Sequence, residues 1–207
     1  MKATQFTTAS GFFMRKTEVF PSDIESVGAL KVNVSDTPIT ESFRGFGVAL
    51  TGSSCYNLAQ MEPESRKGFL TDIYTSAGLD LQVGRIPIGS CDYSPELYSY
   101  DDIKDDTALA HFSVEKDEAY ILPMIHEVIR TNPDIYLFAS PWSPPGWMKT
   151  GESMCGGYMR DRYIECYARY FLRFLEEYEK RGVFISAVTP QNEPHAEQDA
   201  RYPTCMW

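Results

Sequence analysis

The sequence predicts an α/β protein built on parallel strands, and three observations carry that prediction. Short runs of β-branched and aromatic residues alternate with longer stretches of helical periodicity, in βαβα order. Successive strands starting near Leu81, Ile135 and Phe184 are far enough apart for right-handed crossovers between parallel neighbours. No Gly-x-Gly-x-x-Gly turn or P-loop follows any strand, so nothing favours a nucleotide-binding sheet over a (β/α) barrel.

Residues 1–42 read as a β-rich lead-in, with Leu30–Ser35 as a strand, and residues 43–207 as the α/β part. There, "SFRGFGVALTGSS" is an apolar segment broken by glycines, the first strand and the turn after it. A helix follows from Pro63, with Phe69, Leu70, Ile73 and Tyr74 at helical spacing and Gly78 as an αL-type stop. "LDLQVGRIPIGSCD" is the second strand. The next helix spans "SVEKDEAYILPMIHEVIRT", with Ser113 as cap, Glu115, Asp117 and Glu118 in its first turn, and Pro123 expected to kink it. "DIYLFASPW" is the third strand. "DRYIECYARYFLRFLEEYEKRG" is a helix whose Tyr163, Ile164, Tyr167, Tyr170, Phe171, Phe174 and Tyr178 make one apolar stripe, ended by Gly182. "VFISAVT" is the fourth strand.

With 29 Asp and Glu against 19 Lys and Arg, the net charge of −10 repels phosphate backbones and anionic lipid, which argues against nucleic acid as a partner. Five cysteines, Cys55, Cys91, Cys155, Cys166 and Cys205, form no Cys-x-x-Cys pair, so neither a zinc site nor a disulfide framework is expected. No metal and no other cofactor is called for. The first twenty residues contain no continuous apolar core of a signal peptide, and no run is long enough to cross a bilayer, so a cytoplasmic chain is the expectation.

The chemistry gathers at three strand ends: "GRIPIGSCDYS" with Asp92, "ASPWSPPGWMKT" with Trp142 and Trp147, and "TPQNEP" with Asn192 and Glu193. Parallel strands bring their carboxyl ends to one face, so an acid, an indole and an amide beside a carboxyl would surround one pocket. Those groups suit glycoside hydrolysis. It needs a carboxyl to protonate the leaving oxygen, a second carboxylate across the sugar, and hydrogen bonds to ring hydroxyls. Glu193 fits the acid, Asn192 and Asp92 fit hydroxyl contacts, and Trp142 offers its N–H or its face to a sugar.

From about Phe43 onward, "GRIPIGSCDYS", "FASPWSPPGWMKT" and "AVTPQNEP" resemble, in order and interval, glycoside hydrolase family 30, on the glucosylceramidase-like branch. The resemblance implies a retaining β-glycosidase on a (β/α)₈ TIM barrel, of which this chain holds about the first four βα units. It places the general acid/base on Glu193 and substrate contacts on Asp92, Trp142 and Asn192, with Arg85 supporting them. The nucleophile would follow the seventh strand, so no residue here is given that role, and the 207 residues alone are expected to be inactive and poorly soluble. The pattern departs at Gly47-Val48-Ala49 and at Gly52, where the family carries a second glycine and an acid.

Each of these residues has a plainer reading. Glu193 alone would be a solvated strand-end carboxylate, Trp142 a core indole, Asp92 a turn cap and Arg85 a structural partner of carboxylates. His195 follows the acid by two positions, within reach of a leaving group. Cys91 and Ser140 sit in no nucleophile elbow and no motif pairs a histidine with either. A competing reading from another class is a carbohydrate-binding half barrel without catalysis. The polar run after the acid, "HAEQDARYP", favours a sugar aglycone over a lipid, within a substrate range of β-glucosides, β-1,6-glucan oligosaccharides and glucosylceramide.

Overall fold

The computed structural model of the protein describes residues 3–20, 33, 35–40, 42–196 and 201–207. The chain divides into two compact units, Met1–Ser42 and Phe43–Trp207. In the first, β1 (Ala3–Ala9) and β2 (Phe12–Val19) pair as an antiparallel hairpin. Gly11 supplies the positive φ of its turn. The strand expected at Leu30–Ser35 lies largely outside the described residues. The hairpin lies within the β-rich lead-in of residues 1–42, ahead of the one strand the sequence picks out there.

The second unit is a parallel sheet with strand order β3 (Gly47–Ala49), β4 (Val83–Pro87), β5 (Tyr136–Ser140) and β6 (Ala187–Val188). Between them run α1 (Gly52–Gln60), α2 (Pro63–Tyr74), α3 (Ile121–Thr131) and, before β6, α4 (Ile164–Lys180). The four strands stand where the sequence predicts them. Each is shorter than its predicted segment, and β6 covers two residues, although Ser186 N–H to Leu137 O and Thr189 N–H to Ala139 O continue its bonding to β5 at both ends.

Side chains alternate between the two faces of the sheet. Ile86, Leu137 and Ala139 belong to the core formed with the helices and are buried to 2% exposure or less. Ala49, Arg85, Phe138 and Ala187 occupy one register row across the strands. An arginine therefore sits in mid-sheet. Opposite Val83, two positions before Arg85, Gly47 is required, because a Cβ there would lie 2.2 Å from the Val83 carbonyl oxygen.

Helix α1 was not expected. Its Gly-Ser-Ser start has poor helix propensity, yet the Thr51 hydroxyl accepts from Ser54 N–H at 3.2 Å and caps it. Pro63 opens α2 as predicted. Gly78 is not an αL stop; a Cβ there would come 1.9 Å from the Asp72 carbonyl oxygen, and the nearby residue at positive φ is Asp80. Pro123 produces no kink, because α3 begins only at Ile121 and leaves the proline in the first turn, where no intrahelical acceptor is missed. Ser113 is not a helix cap: its hydroxyl accepts from Glu115 N–H at 3.2 Å, ahead of a short 3₁₀ turn over Glu115–Glu118 whose N-cap position is Val114. In α4 the stripe of Tyr163, Tyr167, Tyr170, Phe174 and Tyr178 is buried, whereas Ile164 is 48% exposed, one step round the helix. Gly182 ends the helix at φ +76°, its N–H bonded to Glu179 O.

The first-turn role expected for Asp117 does not hold. Asp117 is fully buried, and its carboxylate accepts from the hydroxyls of Tyr98, Tyr100 and Tyr178, each at 2.6 Å. Burial pushes its carboxyl up, and the three phenols draw it part of the way back. Asp117→Ala would leave three buried hydroxyls without an acceptor, and is expected to lower the unfolding free energy by about 3 kcal/mol or more. Asp117→Asn keeps one acceptor and should fall between that variant and the parent. Urea unfolding midpoints measure both.

Candidate active site

The carboxyl ends of β4, β5 and β6 point the same way, and Arg85 meets Trp142 and Asn192 there. Arg85, on β4, is half-buried and donates from Nη2 to Asn192 Oδ1 at 2.8 Å. Its guanidinium carbon also lies 4.5 Å from the centroid of the Trp142 ring, a cation–π contact. Burial pulls the guanidinium below its ordinary value, and the carboxylates of Asp92 and Glu193 act against that. Arg85 thus contacts both Trp142 and Asn192, with Asp92 and Glu193 close enough for their charges to be felt.

The Arg85 bond also orients the Asn192 amide. Its oxygen is taken, so its NH₂ remains as the donor for a ligand. Asp92 is exposed in the turn after β4, whose Cys91 N–H is held by the Ser94 hydroxyl at 2.9 Å. Trp142 is 6% exposed and follows β5. Trp147 is buried to a similar degree and donates its indole N–H to Asp101 O, so it holds the loop. At Gly52 an added Cβ would lie 3.1 Å from Ser94 Oγ and 3.2 Å from a Pro95 carbon.

Glu193 is exposed and has a left-handed backbone, φ +51°, which costs a non-glycine residue about 1–2 kcal/mol. Such strain persists only where neighbouring bonds hold it. Here Asn192 N–H donates to Pro141 O at 2.7 Å and Ala196 N–H to Glu193 O at 2.9 Å. The Gln191 side chain, 8% exposed, donates to Trp142 O at 2.7 Å and Asn192 O at 2.8 Å, and accepts from the Trp207 indole N–H at 3.0 Å. His195 is exposed in the same turn.

Two of these supporting side chains, Gln191 and Lys149, received no role from the sequence. Gln191 is visible there only as a polar residue between a proline and an asparagine. Lys149, in the loop after β5, is fully buried, and its ammonium donates to Ser143 Oγ at 3.0 Å, Met154 O at 2.7 Å and Thr204 O. All three partners are neutral oxygens. Among the described residues no group of three or more His, Cys, Asp and Glu could hold a metal ion, and no helix is long and apolar enough to cross a membrane.

Burial pulls the Lys149 ammonium down to about 8 from 10.5. Between those values the unfolded chain binds more protons at this side chain than the native one, so its contribution to stability rises with pH. Lys149→Met leaves carbonyls unpaired and is expected to be less stable at pH 7. Its deficit relative to the parent should widen between pH 8 and about 10, as followed by thermal melting in buffers across that range.

The family model described as the glycosyl hydrolase family 30 TIM-barrel domain matches residues 43–206. The chain is 34% identical to the lysosomal acid glucosylceramidase of Mus musculus, over 86% of this chain and 38% of that protein. It is 32% identical to the endo-1,6-β-D-glucanase of Neurospora crassa, over 79% of this chain and 36% of that protein. The solved structure of the endo-β1,6-glucanase BT3312 superposes with a TM-score of 0.73 at 35% identity, covering 79% of this chain and 37% of that one. The chain spans well under half the length of the relatives it matches.

Proposed function

We propose that this chain, which belongs to glycosyl hydrolase family 30, supplies the general acid/base and the sugar contacts of a retaining β-glycoside hydrolase. The observation that carries the proposal is the position of Glu193: a carboxyl on strained backbone, next to an asparagine held by Arg85, whose guanidinium also lies against the Trp142 ring. Glu193 protonates the glycosidic oxygen as the bond to the leaving group breaks. It then takes a proton from the water that releases the sugar. Asn192 donates its free NH₂ to a ring hydroxyl, Asp92 accepts from hydroxyls, and the indole of Trp142 contacts the ring. Arg85 holds Asn192 and Trp142 in one unit and offsets the negative charge of the two carboxylates. His195 lies on the leaving-group side.

Retention needs a second carboxylate about 5–5.5 Å from the first. None of these 207 residues is assigned that part, and Asp92 is given to the sugar hydroxyls. For the aglycone we favour a sugar: His195, two positions after the acid, is exposed, as is Arg201, whereas a lipid gains about 0.8 kcal/mol per buried methylene only against apolar walls. The rest of that polar run, residues 197–200, lies outside the described residues. Relatives of both kinds occur, glucosylceramidases and endo-1,6-glucanases.

The full-length gene product is expected to release the β-anomer first from a β-glucoside, read by proton NMR; first release of the α-anomer contradicts retention. Glu193→Gln should lower kcat/KM by about 10²–10⁴ on a substrate whose aglycone needs protonation, and far less on an activated aryl glucoside. On substrate class, kcat/KM for a β-1,6-linked glucose disaccharide should exceed that for glucosylceramide. A clear preference for the lipid overturns the aglycone assignment and leaves the acid/base assignment standing.

A further inference from the structure

We infer that Gln191 is the positioning residue that sets the acid-bearing turn against the sugar-contacting indole, an inference that rests on the assignment of Glu193 above. Backbone bonding between β5 and β6 runs on to Thr189 N–H and Ala139 O, and there it meets Pro190, which has no N–H to give. Pro141 opposite also lacks a donor. Past this point one backbone bond, Asn192 N–H to Pro141 O, joins the two segments directly, and the Gln191 amide supplies the rest.

The carboxamide has two N–H donors and a carbonyl acceptor, and all three functions are in use. Its Nε2 bonds to Trp142 O and to Asn192 O, and its Oε1 receives the Trp207 indole N–H. It therefore grips the backbone of one proposed sugar contact and the peptide immediately before Glu193. No other side chain of similar size fits this pattern: glutamate has no donor when ionised, methionine has none at all, and lysine has no acceptor. The grip extends further through Trp207, whose backbone N–H bonds to Pro194 O on the far side of the acid. The strained Glu193 peptide is thus held from both flanks, with Gln191 common to the bonds on one side and tied to the residue on the other. A shift of the acid by about 1 Å is enough to cost roughly 10²-fold in rate.

The test uses Gln191→Glu and Gln191→Met in the full-length gene product, beside Glu193→Gln. At pH 7.5 both Gln191 variants should lose about 10²-fold in kcat/KM on a β-glucoside with a poor leaving group. Most of that loss should fall in kcat and be smaller on an activated aryl glucoside. At pH 5 the introduced carboxyl is protonated by its burial, donates one O–H to a carbonyl and accepts from the indole. Gln191→Glu should then regain about tenfold relative to the parent at the same pH, while Gln191→Met, with nothing to titrate, should not. A Gln191→Met variant with parental kcat/KM overturns the inference. So does a Gln191→Glu deficit that does not change with pH, or a melting temperature of either variant below the assay temperature, which would give the amide a role in the fold as a whole. If Glu193→Gln itself keeps full activity on the poor leaving group, the failure lies in the acid/base assignment.

Discussion

The buried carboxylate of Asp117 and its three phenol donors govern how the rest of the α/β unit is assembled. More than thirty residues separate the end of β4 from the start of α3, and they contain no strand and only one turn of 3₁₀ helix. A connection of that length has to be tied down or it carries a large conformational entropy. Tyr98 and Tyr100 come from within the connection, Tyr178 from the last turn of α4, and Asp117 from the 3₁₀ turn before α3. Tyr100 N–H bonds to the Tyr170 hydroxyl, adding a second tie to α4. The aromatic rings that deliver the hydroxyls also stack: Tyr100 lies 5.9 Å from Phe174 at an interplanar angle of 6°. One ionisable group thus joins a loop, a turn and a helix that are far apart in sequence. Asp92 leads this connection, so its place near Arg85 depends on how the loop is fastened.

Arg85 plays the corresponding part on the other face of the sheet. A guanidinium in mid-strand is expensive to bury, and part of that penalty is offset by groups from three different strand ends: Asp92 after β4, Trp142 after β5, and Asn192 and Glu193 after β6. The requirement to neutralise and hydrogen-bond that one cation draws the strand ends together. The gathering of chemistry at the carboxyl ends of parallel strands then has a local electrostatic cause as well as a topological one. The fork of Arg85 fixes the rotamer of Asn192, and its flat face fixes the indole.

Much of this was legible in the sequence because it rests on periodicity and on residue types with strong local preferences. Strands β3 to β6, the proline that opens α2, the tyrosine stripe of α4 and its glycine stop follow from spacing alone. The motifs at the strand ends were readable for the same reason: an acid, an indole and an Asn-Glu pair stand out where a loop would ordinarily carry small polar residues. What was not legible depends on partners distant in sequence. Asp117 looks like a helix-start acid until Tyr98, Tyr100 and Tyr178 are brought round it. Lys149 looks like a surface lysine until Met154 O and Thr204 O enclose it. Helix α1 begins on glycine and serines that propensity assigns to a turn, and one threonine cap decides otherwise.

The backbone of Glu193 joins these two kinds of constraint. Its positive φ is paid for by bonds that reach it along different routes: the β5 ladder through Asn192 N–H, the Gln191 amide through Trp142 and Asn192 carbonyls, and the 201–207 segment through Trp207. That segment is in turn tied to the loop after β5 by the Lys149 ammonium at Thr204 O, by Thr204 N–H to Met154 O and by Gly156 N–H to Thr204 Oγ1. Loop, strand end and following segment therefore form a closed circuit of hydrogen bonds around one carboxyl. The circuit contains buried polar groups in place of apolar packing, which does little for net stability but fixes direction, since each donor has one acceptor it can reach. A carboxyl with the proton-transfer role proposed for Glu193 needs direction more than it needs stability.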